Sequence, residues 1–187
     1  MLIASRDMKR RGRLNNDTVV ATTMSNMGLE KALQREGVQM LRANVGDKYV
    51  LEELLKTGAI LGGEQSGHII FLDGEATTGD GLLTALRVIE ILARTGKPLA
   101  DLIHDLKVFP QMIQNVRVRE KVPFSQVPSI HQAIEAAERA LDGNGRVVVR
   151  YSGTEALARV MVEAESADTM QALAQNIAGA IKQELGS

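Results

Sequence analysis

The sequence predicts a three-layer α/β domain with a mainly parallel sheet in residues 1–108 and a smaller two-layer α+β domain with an antiparallel sheet in residues 109–187. In the first part, β-branched runs alternate with short amphipathic segments, which is typical of a parallel sheet covered by helices on both faces. Beyond Phe109 and Pro110 the order becomes strand, helix, strand, strand, helix, which favours an antiparallel sheet with helices on one face. A length of 187 residues leaves room for two modest cores.

The first domain is predicted to alternate helices and strands. Basic side chains precede a stop at Gly12, as at the end of a helix, and no N-cap residue comes before them. We therefore expect the chain to begin inside an element of a longer protein. Further helices are predicted to end at Gly37, Gly58 and Gly96, and Asp47 is expected to cap the second of these. The predicted strands cover residues 18–24, 38–43, 59–61 and 68–72.

The second domain is predicted from the same two patterns, which are β-branched runs for strands and apolar residues at helical spacing for helices. A strand is expected over residues 112–119, and two more are expected around 147–149 and 160–162. Two helices are predicted because apolar residues recur at helical spacing, namely Ile130, Ile134, Ala137 and Leu141 in one, and Met170, Leu173, Ile177 and Ile181 in the other.

Composition excludes several classes of function. Lys and Arg total 22 against 23 for Asp and Glu, so no net field attracts nucleic acid or a membrane surface. There is no cysteine, which excludes disulfides and thiolate metal sites and favours a cytoplasmic location. No apolar run approaches the ~18 residues that a membrane span needs. The basic run KRRGR at 9–13 prompts an RNA-binding alternative, but 3% aromatic residues leave almost nothing for bases to stack on.

A loop between the last two predicted strands offers many hydrogen-bond donors. Arg150 and Arg159 bring planar, charged guanidinium groups to its two ends, and Ser152 and Thr154 add hydroxyls. Gly153 lets the backbone turn its N–H groups toward a ligand. A dianionic phosphate fits such a ring of donors. The alternative is a polar hairpin loop with ordinary surface arginines.

A second polar loop, GGEQSGH at 62–68, lies at the end of a strand of the α/β domain, where ligands of parallel sheets usually bind. Glu64 can accept hydrogen bonds from two vicinal hydroxyls, and Ser66 adds a donor and an acceptor, which is sugar-binding chemistry. The alternative is a glycine-rich turn in which His68 is structural.

Five motifs together resemble the α-D-phosphohexomutases, and they follow the order of that family along the whole chain. The resemblance implies that the chain covers most of the family's third domain and all of its fourth. It assigns sugar hydroxyls to Glu64 and Ser66, and places Asp47, Lys48 and His68 near the sugar. It assigns phosphate to Arg150, Ser152, Gly153, Thr154 and Arg159. The motifs are TMSNMGLE (23–30), VGDKYV (45–50), GGEQSGH (62–68), TTGDG (77–81) and RYSGTE (150–155) with Arg159.

The resemblance also implies an activity. The expected reaction interconverts glucosamine 6-phosphate and glucosamine 1-phosphate through glucosamine 1,6-bisphosphate, with a phosphoserine and magnesium. The family's serine loop (T-A-S-H-N-P type) and metal loop (D-G-D-x-D-R) do not occur in this sequence. We therefore expect no metal site and no catalytic residue in this chain, no turnover by it alone, and the N-terminal domains of the same protein as its partners.

One departure and two alternatives accompany this resemblance. Ala156 stands where the family commonly has proline, which should loosen the loop without removing a donor. One alternative is a phosphohexomutase acting on mannose or glucose phosphates, and the other is a non-catalytic phosphosugar-binding module.

Overall fold

Two separate sheets, each with its own helices, organise the chain in a computed structural model that describes residues 1–74 and 79–187. They belong to two units, Met1–Val108 and Phe109–Ser187. Among the described residues no helix is both long and apolar enough to cross a membrane.

The first unit has a four-stranded sheet in the order β2-β1-β3-β4. Strands β2, β1 and β3 run parallel, and β4 returns antiparallel beside β3. Its elements are α1 (Leu2–Arg10), β1 (Thr18–Thr22), α2 (Met27–Arg35), β2 (Gln39–Ala43), α3 (Asp47–Thr57), β3 (Leu61–Gly63), β4 (Ile69–Phe71), α4 (Gly81–Thr95) and α5 (Leu99–Leu102).

Helices cover both faces of this sheet. Val19, Leu33 and Leu61 belong to one fully buried cluster, while Val20 and Leu54 belong to a second on the opposite face. The two clusters arise because successive residues of β1 point to opposite faces. The predicted three-layer α/β architecture is therefore confirmed.

Three local predictions differ clearly from the structure. The strand expected over residues 59–61 is displaced along the chain, since β3 covers Leu61–Gly63. Strand β1 ends at Thr22 instead of residue 24, because the backbone N–H of Ser25 donates to the Thr22 carbonyl at 3.0 Å and closes a turn. Asp47 does not cap α3. Gly46 is the N-cap residue, and within the described part of the chain the Asp47 carboxylate accepts only from the backbone N–H of Lys48, at 2.7 Å. Asp47 is already the first helical residue, so its side chain lies too far along the helix to act as the cap.

The second unit is a three-stranded antiparallel sheet in the order β5-β7-β6 with two helices on one face. Ile130 and Ile177 from these helices belong to one apolar cluster with Val160 of the central strand, and all three are fully buried. The predicted α+β class is confirmed. The elements are β5 (Gln111–Arg117), α6 (Pro128–Leu141), β6 (Gly145–Tyr151), β7 (Leu157–Ala164) and α7 (Ala167–Leu185).

Candidate functional site

The two arginines that flank the loop between β6 and β7 lie directly opposite each other. Arg150 of β6 and Arg159 of β7 are register partners in the antiparallel pair. Their neighbours Val149 and Val160 pack into the helix-covered core, so the arginines lie on the opposite face of the sheet. Directly opposed residues have Cβ atoms about 4.5–5.5 Å apart, and like charges in such positions destabilise a sheet. This arrangement favours an anion between or above the two guanidinium groups.

The two arginines differ in their partners. Among the described residues the Arg150 guanidinium has no ion pair or hydrogen bond. Arg159 Nη2 donates to Glu155 Oε2 at 3.0 Å, while Arg159 Nε is buried and has no hydrogen-bond partner within the described part of the chain. Charged donors thus remain available at both strands.

The loop between the arginines is short and internally bonded. Ser152 is 3% exposed, and its backbone N–H donates to the Leu157 carbonyl at 2.8 Å. Its hydroxyl oxygen accepts from the backbone N–H of Glu155 at 3.3 Å. Gly153 and Thr154 are exposed. Gly153 does not have a positive φ, so its role cannot rest on the backbone freedom that the sequence suggested, but a Cβ there would meet no atom within 4 Å.

Residues to which the sequence assigned no role support this loop. Lys121 Nζ donates to the Ser152 carbonyl at 2.7 Å, and the Tyr151 hydroxyl donates to the Val122 carbonyl at 2.6 Å. The Tyr151 ring stacks on Phe124 with 4.3 Å between the ring centroids. Burial raises the pKa of Tyr151, so its hydroxyl stays a neutral donor. A buried tyrosine hydroxyl usually needs a hydrogen-bond partner, so Tyr151 at a core-facing strand position is the sequence signal that could have indicated this support.

One further polar residue lies beside the arginines. Asn115 of β5 is the register partner of Arg159 on its other side, so Asn115, Arg159 and Arg150 form one row across the three strands. No sequence motif marks Asn115, because its place in the row depends on the pairing of two strands that are distant in sequence.

The GGEQSGH loop at 62–68 is the hairpin between β3 and β4. Glu64 closes it with two backbone bonds: its N–H donates to the His68 carbonyl at 2.9 Å, and its carbonyl accepts from the Gly67 N–H at 3.1 Å. Gly67 has a φ of +109°, which residues other than glycine rarely adopt. The sharp turn leaves Gln65, Ser66 and His68 exposed.

The Glu64 carboxylate joins this hairpin to the start of α3. Its Oε1 accepts from the backbone N–H of Gly46 at 3.0 Å, and its Oε2 lies 3.9 Å from His68 Nδ1. Asp47 and Lys48 follow Gly46 directly and are exposed. The structure therefore brings Glu64 and His68 together and joins Glu64 to the N-cap residue of α3. Ser66 is on the same hairpin, with no side-chain contact described.

A cavity of about 350 Å³ lies beside this hairpin. Leu29, Ile69 and Leu106 supply apolar walls, and Glu64 and Gln65 supply polar atoms. A cavity that combines apolar walls with a few polar groups is typical of small-molecule sites.

Metal binding has no support in the described residues. No group of three or more His, Cys, Asp or Glu side chains in residues 1–74 and 79–187 could hold an ion. The TTGDG motif is only partly visible, since Thr77 and Thr78 lie outside the described residues. Its Asp80 caps α4, where the carboxylate accepts from the Leu83 N–H at 2.9 Å.

The sequences of both units match known protein-family domains. Residues 1–109 match "Phosphoglucomutase/phosphomannomutase, alpha/beta/alpha domain III", and residues 114–180 match "Phosphoglucomutase/phosphomannomutase, C-terminal domain". The chain belongs to the phosphoglucomutase/phosphomannomutase family. The family resemblance inferred from the five motifs is thereby confirmed.

Relatives within this phosphohexomutase family are much longer than the chain. Phosphoglucosamine mutase of Koribacter versatilis (strain Ellin345) is 67% identical over 186 residues, with 100% of this chain and 40% of that protein covered. Phosphoglucosamine mutase of Solibacter usitatus (strain Ellin6076) is 50% identical over 186 residues, with 100% and 42% covered. The chain thus spans about two fifths of the length of these curated relatives.

Solved structures share the fold. N-acetylphosphoglucosamine mutase of Aspergillus fumigatus matches with a TM-score of 0.78 at 21% identity, covering 97% of this chain and 42% of that one. The same fungal enzyme in complex with GlcNAc-6P and magnesium matches with a TM-score of 0.72 at 21% identity, covering 97% and 42%. At this level of identity the likeness shows the fold of a phosphohexomutase and no more.

Proposed function

We propose that this chain is the sugar- and phosphate-binding part of a phosphoglucosamine mutase, which interconverts glucosamine 6-phosphate and glucosamine 1-phosphate through glucosamine 1,6-bisphosphate. The observation that carries the proposal is the opposition of Arg150 and Arg159 across β6 and β7. Two guanidinium groups held side by side at a polar loop suit a dianionic phosphate. The 67% identity to a phosphoglucosamine mutase supports the choice of an amino sugar.

The loop from Arg150 to Arg159 holds the phosphate that is not reacting. Between the two guanidinium groups, Gly153 and Thr154 are exposed, and Thr154 and the buried Ser152 carry hydroxyls. A sugar with one phosphate fixed here is held in line for transfer at its other end. Such positioning can lower a barrier by several kcal/mol, since the freedom of motion is lost on binding and not during reaction.

The hairpin of Glu64 holds the sugar ring. Its carboxylate already accepts from Gly46, which fixes its orientation while other lone pairs stay available to sugar hydroxyls. Ser66 and His68 lie on the same hairpin, and Asp47 and Lys48 lie at the adjoining helix start, which supports a role for all four in contacting the rest of the ring. Because the substrate turns about between the two half-reactions, these groups must accept hydroxyls in two orientations.

Phosphoryl transfer itself belongs to other parts of the longer protein in this proposal. The fungal neighbour was solved with magnesium, but the described residues here form no cluster that fits a metal ion. We therefore assign no step of the reaction to a metal held by this chain. Its residues bind and orient the phosphosugar.

Substrate comparison with the full-length protein tests the proposal. We expect kcat/KM to be higher for glucosamine 6-phosphate than for mannose 6-phosphate or glucose 6-phosphate. A preference for either hexose phosphate would indicate another phosphohexomutase. Absence of turnover on all three, in a protein whose serine and metal loops are intact, would indicate a non-catalytic phosphosugar-binding module.

A further inference from the structure

The phosphate loop carries an anion of its own. Glu155 Oε2 accepts a hydrogen bond from Arg159 Nη2 at 3.0 Å and lies 3.5 Å from Ser152 Oγ. The backbone N–H of Glu155 donates to the same Ser152 hydroxyl at 3.3 Å. One carboxylate oxygen therefore contacts two of the groups that the proposed clamp offers to a phosphate.

The charges around the loop explain why a carboxylate binds there. Arg150 and Arg159 are register partners, and like charges in directly opposed positions repel each other. Arg150 has no acidic partner among the described residues, so Glu155 is the acidic group that offsets this repulsion. It neutralises one of the two positive charges.

The Glu155 contact is also weak enough to exchange. The side chain of Glu155 is 55% exposed and that of Arg159 is 36% exposed, and exposed ion pairs contribute little to stability. A phosphate dianion has more charge and more acceptor oxygens than a carboxylate, so it can compete with the carboxylate for Arg159.

We propose that Glu155 is an internal counter-ion that occupies Arg159 when the loop is empty and must leave it when a substrate phosphate binds. The inference rests on the proposed phosphate clamp and adds a residue that sets its affinity. Glu155 lowers the affinity for phosphate by competing for Arg159. When no ligand is present, it offsets the electrostatic repulsion between the two arginines.

Titration of inorganic phosphate into the 187-residue chain, followed by NMR of the backbone amides at fixed low ionic strength, tests this inference. Glu155→Gln keeps the shape and removes the charge, so phosphate should bind about two- to fivefold more tightly, as expected for the loss of one exposed competing ion pair. Glu135→Gln is the matched control, because Glu135 is a half-exposed carboxylate of α6 paired with His131 and Arg139. It should leave the affinity unchanged.

A second background separates competition at Arg159 from general charge repulsion. In an Arg159→Ala background, Glu155→Gln should give no further tightening, since the contact for which the two anions compete is gone. Equal tightening in both backgrounds would overturn the inference. So would an unchanged or weaker affinity of Glu155→Gln alone.

The same titration separates this inference from the clamp itself. If Arg150→Ala weakens phosphate binding while Glu155→Gln has no effect, the clamp stands and the counter-ion role is wrong. If neither arginine substitution weakens binding, both proposals fail.

Discussion

Glu64 illustrates how one carboxylate can serve both structure and binding. Its Oε1 accepts from the Gly46 N–H at 3.0 Å, and a glutamine amide oxygen at this position could accept the same bond. The hairpin should therefore keep its shape in Glu64→Gln, while hydrogen bonds from sugar hydroxyls lose their charged partner.

We predict that Glu64→Gln in the full-length protein lowers kcat/KM for glucosamine 6-phosphate by roughly ten- to a hundredfold, because hydrogen bonds to charged groups contribute more than neutral ones. Inorganic phosphate should bind the variant as it binds the wild type. Glu53→Gln is a suitable control, since Glu53 of α3 pairs only with Lys56 among the described residues. Equal loss of turnover and phosphate affinity would mean that Glu64 is structural.

Asp105 provides a pH-dependent prediction at the residue scale. Arg6 donates to both of its carboxylate oxygens, at 2.8 and 2.5 Å, and this hydrogen bonding lowers the pKa of Asp105 from 3.8 to about 2. Because the folded-state pKa is lower than the unfolded one, the pair stabilises the protein above the ordinary pKa. That stabilisation is lost as the pH falls through about 2.

Asp105→Asn should therefore lower the free energy of unfolding at neutral pH, and the difference from the wild type should shrink as the pH falls from about 4 toward 2. Urea denaturation of both proteins at several pH values measures this. A difference that is constant across that range would show that the Arg6 contact does not depend on the charge of Asp105.

At the scale of elements, the segment after β5 supports the phosphate loop. Lys121 donates to the Ser152 carbonyl, and Tyr151 is held by Val122 and Phe124. Lys121→Met keeps much of the apolar stem but removes the charged donor, so we expect the second unit to lose about 1–2 kcal/mol of unfolding free energy.

The loss of Lys121 should be visible locally. Amide exchange in residues 152–157 should accelerate in Lys121→Met, while exchange in β1 and β3 of the first unit stays as in the wild type. Lys182→Met, at an exposed position of α7, should change neither. Unchanged exchange in the loop of Lys121→Met would show that the strand pairing alone fixes it.

The same elements show what the sequence can predict. Helical spacing correctly located α6 and α7, because their apolar faces repeat locally and pack on one sheet. The support of Ser152 by Lys121 could not be predicted, since these residues are 31 positions apart and meet only through the fold. The predicted N-cap of α3 was wrong by one residue. Gly46 and Asp47 are both acceptable N-cap residues, and the backbone hydrogen bonds of the first helical turn decide between them.

At the scale of the whole molecule, the two units have separate apolar cores. Among residues 1–74 and 79–187, the core of the second unit draws only on residues from β5 to α7 and their connections. Among the same residues, the two clusters of the first unit draw only on residues before the boundary. The candidate binding residues are divided between the two units in the same way. Residues near Glu64 suit a sugar ring, and residues between Arg150 and Arg159 suit a phosphate. The classes of the two units followed from the sequence, because the order of strands and helices determines which kind of sheet is accessible.

The central claim is that the loop from Arg150 to Arg159 binds the phosphate of a phosphosugar, and titration of glucosamine 6-phosphate into the protein at fixed ionic strength tests it most directly. Arg150→Ala and Arg159→Ala should each weaken binding about ten- to a hundredfold, and Arg150→Lys should restore it only in part, because lysine lacks the planar fork. Arg139→Ala is the control, since Arg139 is 71% exposed on α6, and it should bind as the wild type does. Affinity for glucosamine 6-phosphate that is unchanged in both Arg150→Ala and Arg159→Ala would contradict the account.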